Sequence, residues 1–360
     1  MKLQLMCVPL TFLLVGTLGC AKDVVPEEPK LPFQELYSQG IDQYLGVFEP
    51  ETALTLSPGI IEHKFSGVEA PICFTGNQFS MFTRDGSNEN LLIFLQGGGF
   101  CGPSSCDAVE TGIPLLPFGI LSSSVLQNPL ANYNLGYLPY CDGSGWMGDK
   151  NVDSDEDGTD DRFFRGLQNL SASLDVIAKR YPSPTSIVLA GNSAGGFGVH
   201  AALPLVRKLY PTVPIHLIND SGIGILNPGA MNDLVAYWGA ERFFPNSCTT
   251  CIGEDGNLTE YHSYQLDQDT NLRMAFISSK RDATFAPNII GGPSAFESQV
   301  ISTVNHLKSL YISRFNSLIP NGDDHTFIIR SFDKVVSSTS VREWVQKFTA
   351  NDSTLTSIIE

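Results

Sequence analysis

The stretch from Ser186 to Gly198 constrains this chain more than any other. An apolar run, Ile187 to Ala190, stops at Gly191, and a small-residue segment suited to a helix begins after Ser193. Gly191-Asn192-Ser193-Ala194-Gly195 is a G-x-S-x-G pentapeptide. Its meaning depends on a buried strand before it and a helix after it, which make a sharp turn that lifts the serine Oγ clear of the strand end. Both flanks fit here. Glycines two before and two after the serine let the two backbones approach closely. The bland alternative is a glycine-rich turn with a chemically idle serine; the flanks favour a nucleophile.

A chain of 360 residues has room for one large α/β domain or two small ones. With 42% hydrophobic residues, 33 Gly and 22 Pro it reads as globular and rich in turns. The net charge of −16 argues against a nucleic-acid partner, because phosphate binding needs a basic face.

The first residues carry one Lys, a short apolar core and a small-residue exit at Gly16-Thr-Leu-Gly-Cys20. This reads as an export signal, too short to span a bilayer. The cysteine after Leu18-Gly19 resembles a bacterial lipobox, so Cys20 is expected to be the lipidated first residue of the mature chain. Thr17 is less usual in that motif and leaves ordinary cleavage open. The expected organisation is residues 1–19 as signal, 20–35 as a solvated tether and 36–360 as the folded domain. The location this implies is the cell envelope, anchored by lipid at the outer membrane or surface, or secretion, by bacterial-type export.

Setting aside Cys7 and Cys20, six cysteines remain, an even number that favours disulfides in an exported protein. Cys101 with Cys106 and Cys248 with Cys251 could close small loops, leaving Cys73 with Cys141. This is one of fifteen pairings. Cys248-Thr-Thr-Cys251 could instead be half a zinc site, but no second C-x-x-C or nearby His pair completes it.

In chain order, Ile72–Gly76 and Phe79–Arg84 read as a hairpin. Leu91–Leu95 reads as a central parallel strand. It ends in Gln96-Gly-Gly-Gly-Phe-Cys101, a loop lacking the motifs of a phosphate cradle but suited to presenting backbone N–H groups to an oxyanion. A short strand with a polar end follows at 137–145. Asp153, Asp155, Asp157, Thr159 and Asp161, with Gly158, space oxygen ligands like a calcium loop. Phe164 stands where an EF-hand would place its Glu, so the hand is incomplete and any ion there is structural; an acidic solvated loop is the alternative reading. Helices are expected over Phe163–Arg180, Ala194–Tyr210, 293–318 and Val341–Phe348, and strands over 215–220, 273–279 and Thr326–Arg330. The aromatic, turn-rich segment 223–265 is placed as a cap. Strands alternating with helices imply a mainly parallel sheet.

A serine nucleophile needs a base, and this elbow runs Ser, then acid, then His. Of six histidines, His306 falls in a helix, whereas His325 sits on a polar loop that can reach a sheet edge. Asp282, after the second strand beyond the nucleophile strand, is the favoured acid. Asp220, at the end of the intervening strand, is its rival, although an Asp there can simply satisfy backbone N–H groups.

These residues resemble the pectin acetylesterase/Notum family of carboxylesterases. Gln96-Gly-Gly-Gly-Phe-Cys101 is similar to the family's Gly-Gly-Gly-Trp-Cys, with Phe100 for Trp. Gly191-Asn-Ser-Ala-Gly-Gly196 is similar to Gly-Cys-Ser-Ala-Gly-Gly, with Asn192 for Cys. Tyr140-Cys-Asp-Gly-Ser144, Phe164-Arg-Gly166 and Asp220-Ser-Gly222 complete a series of landmarks in order. The acidic insertion at 153–161 matches none of them. The resemblance implies an α/β-hydrolase-like, mainly parallel sheet flanked by helices. It implies Ser193, Asp282 and His325 as a triad, with the N–H groups of Gly98, Gly99 and Ala194 as oxyanion donors and no catalytic metal. The implied substrates are acetyl or other acyl esters on polysaccharide. A longer-chain deacylase, or a silent surface binding protein on a hydrolase scaffold, are the alternatives.

Overall fold

Leu91–Leu95 is apolar at every position because both of its faces are covered. Leu91, Ile93 and Leu95 enter one core, and Leu92 and Phe94 enter the other. The same alternation divides Ile187 and Leu189 from Val188 and Ala190. The computed structural model describes residues 31–57, 59–67 and 69–360. The export signal, Cys20 and the tether up to residue 30 therefore lie outside the described residues.

Ten strands form one sheet: β1 Thr52–Ser57, β2 Ile60–Lys64, β3 Ser80–Arg84, β4 Leu91–Leu95, β5 Asn134–Leu138, β6 Ile187–Asn192, β7 Ile215–Asp220, β8 Leu272–Ile277, β9 Phe315–Ile319 and β10 Ile358–Ile359. Their spatial order is β1-β2-β3-β5-β4-β6-β7-β8-β9-β10. The first three are antiparallel neighbours, and β3 pairs antiparallel with β5. From β5 across to β10 every pairing is parallel. Parallel neighbours need crossovers, and these are supplied largely by helices. The helices are α1 Gln34–Ser38, α2 Gly166–Arg180, α3 Ala194–Leu209, α4 Ala230–Trp238, α5 Thr259–Gln268, α6 Gly292–Leu310 and α7 Val341–Thr349. Side chains of α2, α3, α5 and α6 fill one face, whereas Trp344, Val345 and Phe348 of α7 join Phe327 and Ile328 on the other. This single domain is α/β-hydrolase-like, a large and mostly parallel sheet between layers of helix.

Several expectations need correction. Phe79–Arg84 does not form a hairpin with Ile72–Gly76, where there is only an isolated bridge from Ile72 to Gln78; β3 pairs with β2 instead. The long helix expected over 293–318 stops at Leu310, and Phe315–Ile319 is a strand. Thr326–Arg330 is not a strand. Phe327 and Ile328 are apolar because they are buried, and their N–H groups go to the Asp220 carboxylate instead of to a ladder. The segment 223–265 contains α4 and most of α5. Three disulfides join Cys73 to Cys141, Cys101 to Cys106 and Cys248 to Cys251. Among the described residues no helix is long and apolar enough to cross a membrane.

Candidate active site

Ser193 sits between β6 and α3 with φ 55° and ψ −121°, a conformation that side-chain-bearing residues rarely adopt. The turn is so tight that a Cβ on Gly191 would lie 2.2 Å from the carbonyl oxygen of Gly195, and one on Gly195 would lie 2.0 Å from the carbonyl oxygen of Leu95 at the end of β4. The Ser193 N–H donates to the carbonyl of Asp220 at 2.8 Å, tying the elbow to the end of β7.

The glycine loop after β4 packs directly on this turn. A Cβ on Gly97 would stand 2.1 Å from the Asn192 carbonyl oxygen and 2.7 Å from Ser193 Cβ, so only glycine lets the loop come this close. The loop is held from behind. Trp146 Nε1 donates to the Gln96 carbonyl at 3.2 Å, Val109 N–H to the Gly98 carbonyl at 2.8 Å, and Asp107 N–H to the Phe100 carbonyl at 3.0 Å. Among the described residues, none accepts a hydrogen bond from the N–H of Gly98, Gly99 or Ala194. Donors left open at such a turn are suited to an incoming negative charge.

His325 Nδ1 lies 2.8 and 3.0 Å from the two carboxylate oxygens of Asp282. Asp282, beyond β8, is fully buried, and its Oδ1 also accepts from the N–H groups of Thr284 and Phe285. These bonds fix the carboxylate and leave Nε2 as the free ring nitrogen of His325. The Phe285 ring lies edge-on to His325 at 5.6 Å and contacts Phe197 at 6.1 Å. Phe197 is in the first turn of α3, so the imidazole is brought over the helix that Ser193 begins.

The Asp220 carboxylate faces elsewhere. Oδ2 accepts from the N–H groups of Phe327 at 2.7 Å and Ile328 at 2.9 Å, and Ser221 Oγ accepts from Thr326 N–H at 3.0 Å. Asp220 thus clamps the backbone next to His325 while its carbonyl holds Ser193. Burial pushes its carboxyl up from 3.8 to about 7, against the opposing pull of the two backbone N–H groups.

The remaining histidines make other contacts. His63 meets Thr83, His200 meets Gln265 and Asn219, His216 meets Asn351, and His262 meets the Ile223 carbonyl. His306, on α6, lies 3.5 Å from Glu260.

Carboxylate oxygens of Asp153, Asp155 and Asp157 lie within 4.8 Å of one another, whereas Asp161 is bonded to Ser154. The loop's own N–H groups already use these acids: Asp157 and Gly158 donate to Asp153, and Thr159 donates to Asp157.

Sequence reading missed the wall around Ser193. Phe100 lies 5.1 Å from Phe197 and 5.6 Å from Trp238, so with Phe285 a row of rings runs from α4 to the His325 loop. These residues are scattered along the chain, with no spacing that marks them as one surface.

The fold and the strand-serine-helix turn place the chain in the α/β-hydrolase class. The profile of the Pectinacetylesterase family matches residues 64–249, and the chain belongs to that family. It is 28% identical over 169 residues to palmitoleoyl-protein carboxylesterase notum1a of Danio rerio, covering 42% of this chain and 33% of that one. It is 27% identical over 169 residues to palmitoleoyl-protein carboxylesterase notum1' of Xenopus laevis, covering 42% and 34%. The chain therefore matches only about a third of the length of these relatives.

Proposed function

We infer that the protein is a serine carboxylesterase that removes short acyl groups, acetyl above all, from an alcohol carrier. In this reading Ser193 Oγ attacks the ester carbonyl while His325 Nε2 takes its proton, and Asp282 holds the imidazole and balances its charge. The N–H groups of Gly98, Gly99 and Ala194 receive the oxyanion. Collapse breaks the bond to the alcohol, which leaves with the proton from His325. Water then repeats the sequence on the acyl-enzyme, releasing the acid and restoring Ser193. None of these steps calls on a metal.

The observation that carries this reading is the apposition of Gly97 to Ser193 in the same fold that pairs His325 with Asp282. The preference for a short acyl group is supported by the rings beside the elbow. The space between Phe197, Ile223, Phe285 and Phe296 is only about 10 Å³, too little for a hydrocarbon chain. A polysaccharide carrier accords with the family's name. Three disulfides favour an oxidising compartment. Export with a lipid on Cys20 is part of the same reading; loss of fatty-acid labelling in Cys20→Ser would support it, and unchanged labelling would remove it.

The deciding experiment is hydrolysis of nitrophenyl esters from acetyl to octanoyl. Acetate is expected to turn over fastest, with Ser193→Ala and His325→Ala each reducing kcat by about 10⁴-fold or more. Preference for octanoate would move the reading to a longer-chain deacylase. Activity surviving Ser193→Ala would end the serine mechanism.

A further inference from the structure

The loop that carries His325 holds the one Asn-Gly pair of the sequence, Asn321-Gly322. Both residues are exposed. Gly322 has φ 109°, a backbone form that favours glycine, and a Cβ there would meet nothing nearer than Lys334 Nζ at 4.0 Å. Conformation, not crowding, therefore selects the glycine, and the site around it is open. Among the described residues, the Gly322 N–H donates to no acceptor and the Asn321 side-chain amide has no hydrogen-bond partner. Only the main chain of Asn321 is held, its N–H donating to Glu360 Oε2 at 3.1 Å. A free amide side chain followed by an unhindered, unbonded peptide nitrogen is the arrangement in which asparagine reacts with its own backbone.

What that reaction would disturb is the frame of His325. Lys280 N–H donates to the Pro320 carbonyl at 3.1 Å, Arg281 N–H to the Gly322 carbonyl at 3.1 Å and Ala283 N–H to the Asp323 carbonyl at 2.8 Å. The stretch 320–323 thus lies bonded along the turn that carries Asp282, and His325 Nδ1 meets Asp282 from one strip to the other. Register between the two strips sets where the imidazole stands.

We propose that Asn321 is a self-modification site whose isoaspartate product pulls His325 out of register with Asp282. The Gly322 nitrogen attacks Asn321 Cγ, its proton goes to the amide nitrogen, and ammonia leaves as a succinimide ring closes. Water then opens the ring. Opening at the side-chain carbonyl gives aspartate with the original main chain. Opening at the main-chain carbonyl gives isoaspartate, in which the chain runs through Cβ and Cγ and is one methylene longer. Both products add a carboxylate, but only the second lengthens the strip ahead of His325. A misplacement of about 1 Å near reacting groups costs about 10²-fold in rate. The effect on activity rests on the esterase reading; the modification itself does not.

The test ages the full chain at neutral and at mildly alkaline pH, maps position 321 by peptide mass spectrometry with isoaspartate detection, and follows hydrolysis of nitrophenyl acetate. Isoaspartate is expected to accumulate there, faster at the higher pH because the attacking nitrogen must lose its proton. The rate should fall in step with the isoaspartate fraction, to about 10²-fold less in converted chains. Asn321→Gln should keep its activity over the same period, and Asn321→Asp, which carries the charge on an unchanged main chain, should start near wild type. Isoaspartyl methyltransferase with S-adenosylmethionine, which returns isoaspartate to aspartate, should restore the aged protein. An amide that persists at Asn321, isoaspartate without loss of rate, or equal decay in Asn321→Gln overturns the proposal while leaving the esterase standing. If fresh wild type hydrolyses no ester, the esterase reading falls alone. Isoaspartate at 321 with a displaced His325 imidazole resonance in NMR then upholds the proposal, and an unmoved resonance ends it.

Discussion

Two buried aspartates stand near the proposed reactive groups, and their hydrogen bonds assign them different work. Asp282 faces the imidazole, whereas Asp220 faces backbone N–H groups. Asp282→Asn is therefore expected to cost about 10³–10⁴ in kcat on nitrophenyl acetate with the fold intact, since the amide cannot hold the ring tautomer or balance its charge. Asp220→Asn keeps an oxygen for Phe327 and Ile328 and should retain most of the rate; a larger loss there than in Asp282→Asn would reverse the assignment. Asp220 also has a signature in stability. Its carboxyl is raised to about 7 and that of Asp142 to about 6, both by burial. A group raised in the folded state binds its proton better there than in the unfolded chain. Its contribution is complete below the ordinary carboxylate range and is lost as pH climbs through the folded value. Thermal melting from about pH 4 to about pH 8 should show that loss, with a flatter upper part in Asp220→Asn. An identical slope in the variant would rule Asp220 out as its source.

At the scale of elements, legibility followed how the backbone bonds are satisfied. α2, α3 and α7 were readable because their apolar positions recur at helical spacing, and α7 adds Ser340, whose Oγ accepts from Glu343 N–H. β1 was not readable, because all six of its residues are exposed and the alternation that marks a strand face is missing. Thr326–Arg330 misled for the opposite reason, being apolar without pairing to any strand. The Cys73–Cys141 disulfide joins the turn before β3 to the exit of β5 across 68 residues. Closing a loop of that length is worth about 4 kcal/mol in the chain-entropy account. Replacing both cysteines by serine should lower the melting temperature clearly while leaving KM for nitrophenyl acetate little changed; an unchanged melting temperature would mean that the bridge constrains little.

For the molecule as a whole, the proposed reactive groups gather at the C-terminal ends of the parallel strands, as open α/β sheets dispose their ligands. Chain order alone pointed to Ser193, Asp282 and His325, because each follows a readable strand or occupies a polar loop. A cleft of about 910 Å³ beside the glycine loop was invisible to that logic, since its walls come from the 96–98, 109–121 and 326–334 segments, which only tertiary folding joins. The end of β7 has a mechanical consequence. The main chain of Asp220 grips the serine turn and its carboxylate grips the stretch after His325, so both are referenced to one fixed point. A fluctuation of that strand tip carries the two in the same direction and largely cancels from the gap between them. In the proposed mechanism the proton-transfer distance is thereby buffered against breathing of the sheet, much as a common mount keeps two lenses aligned while the bench moves.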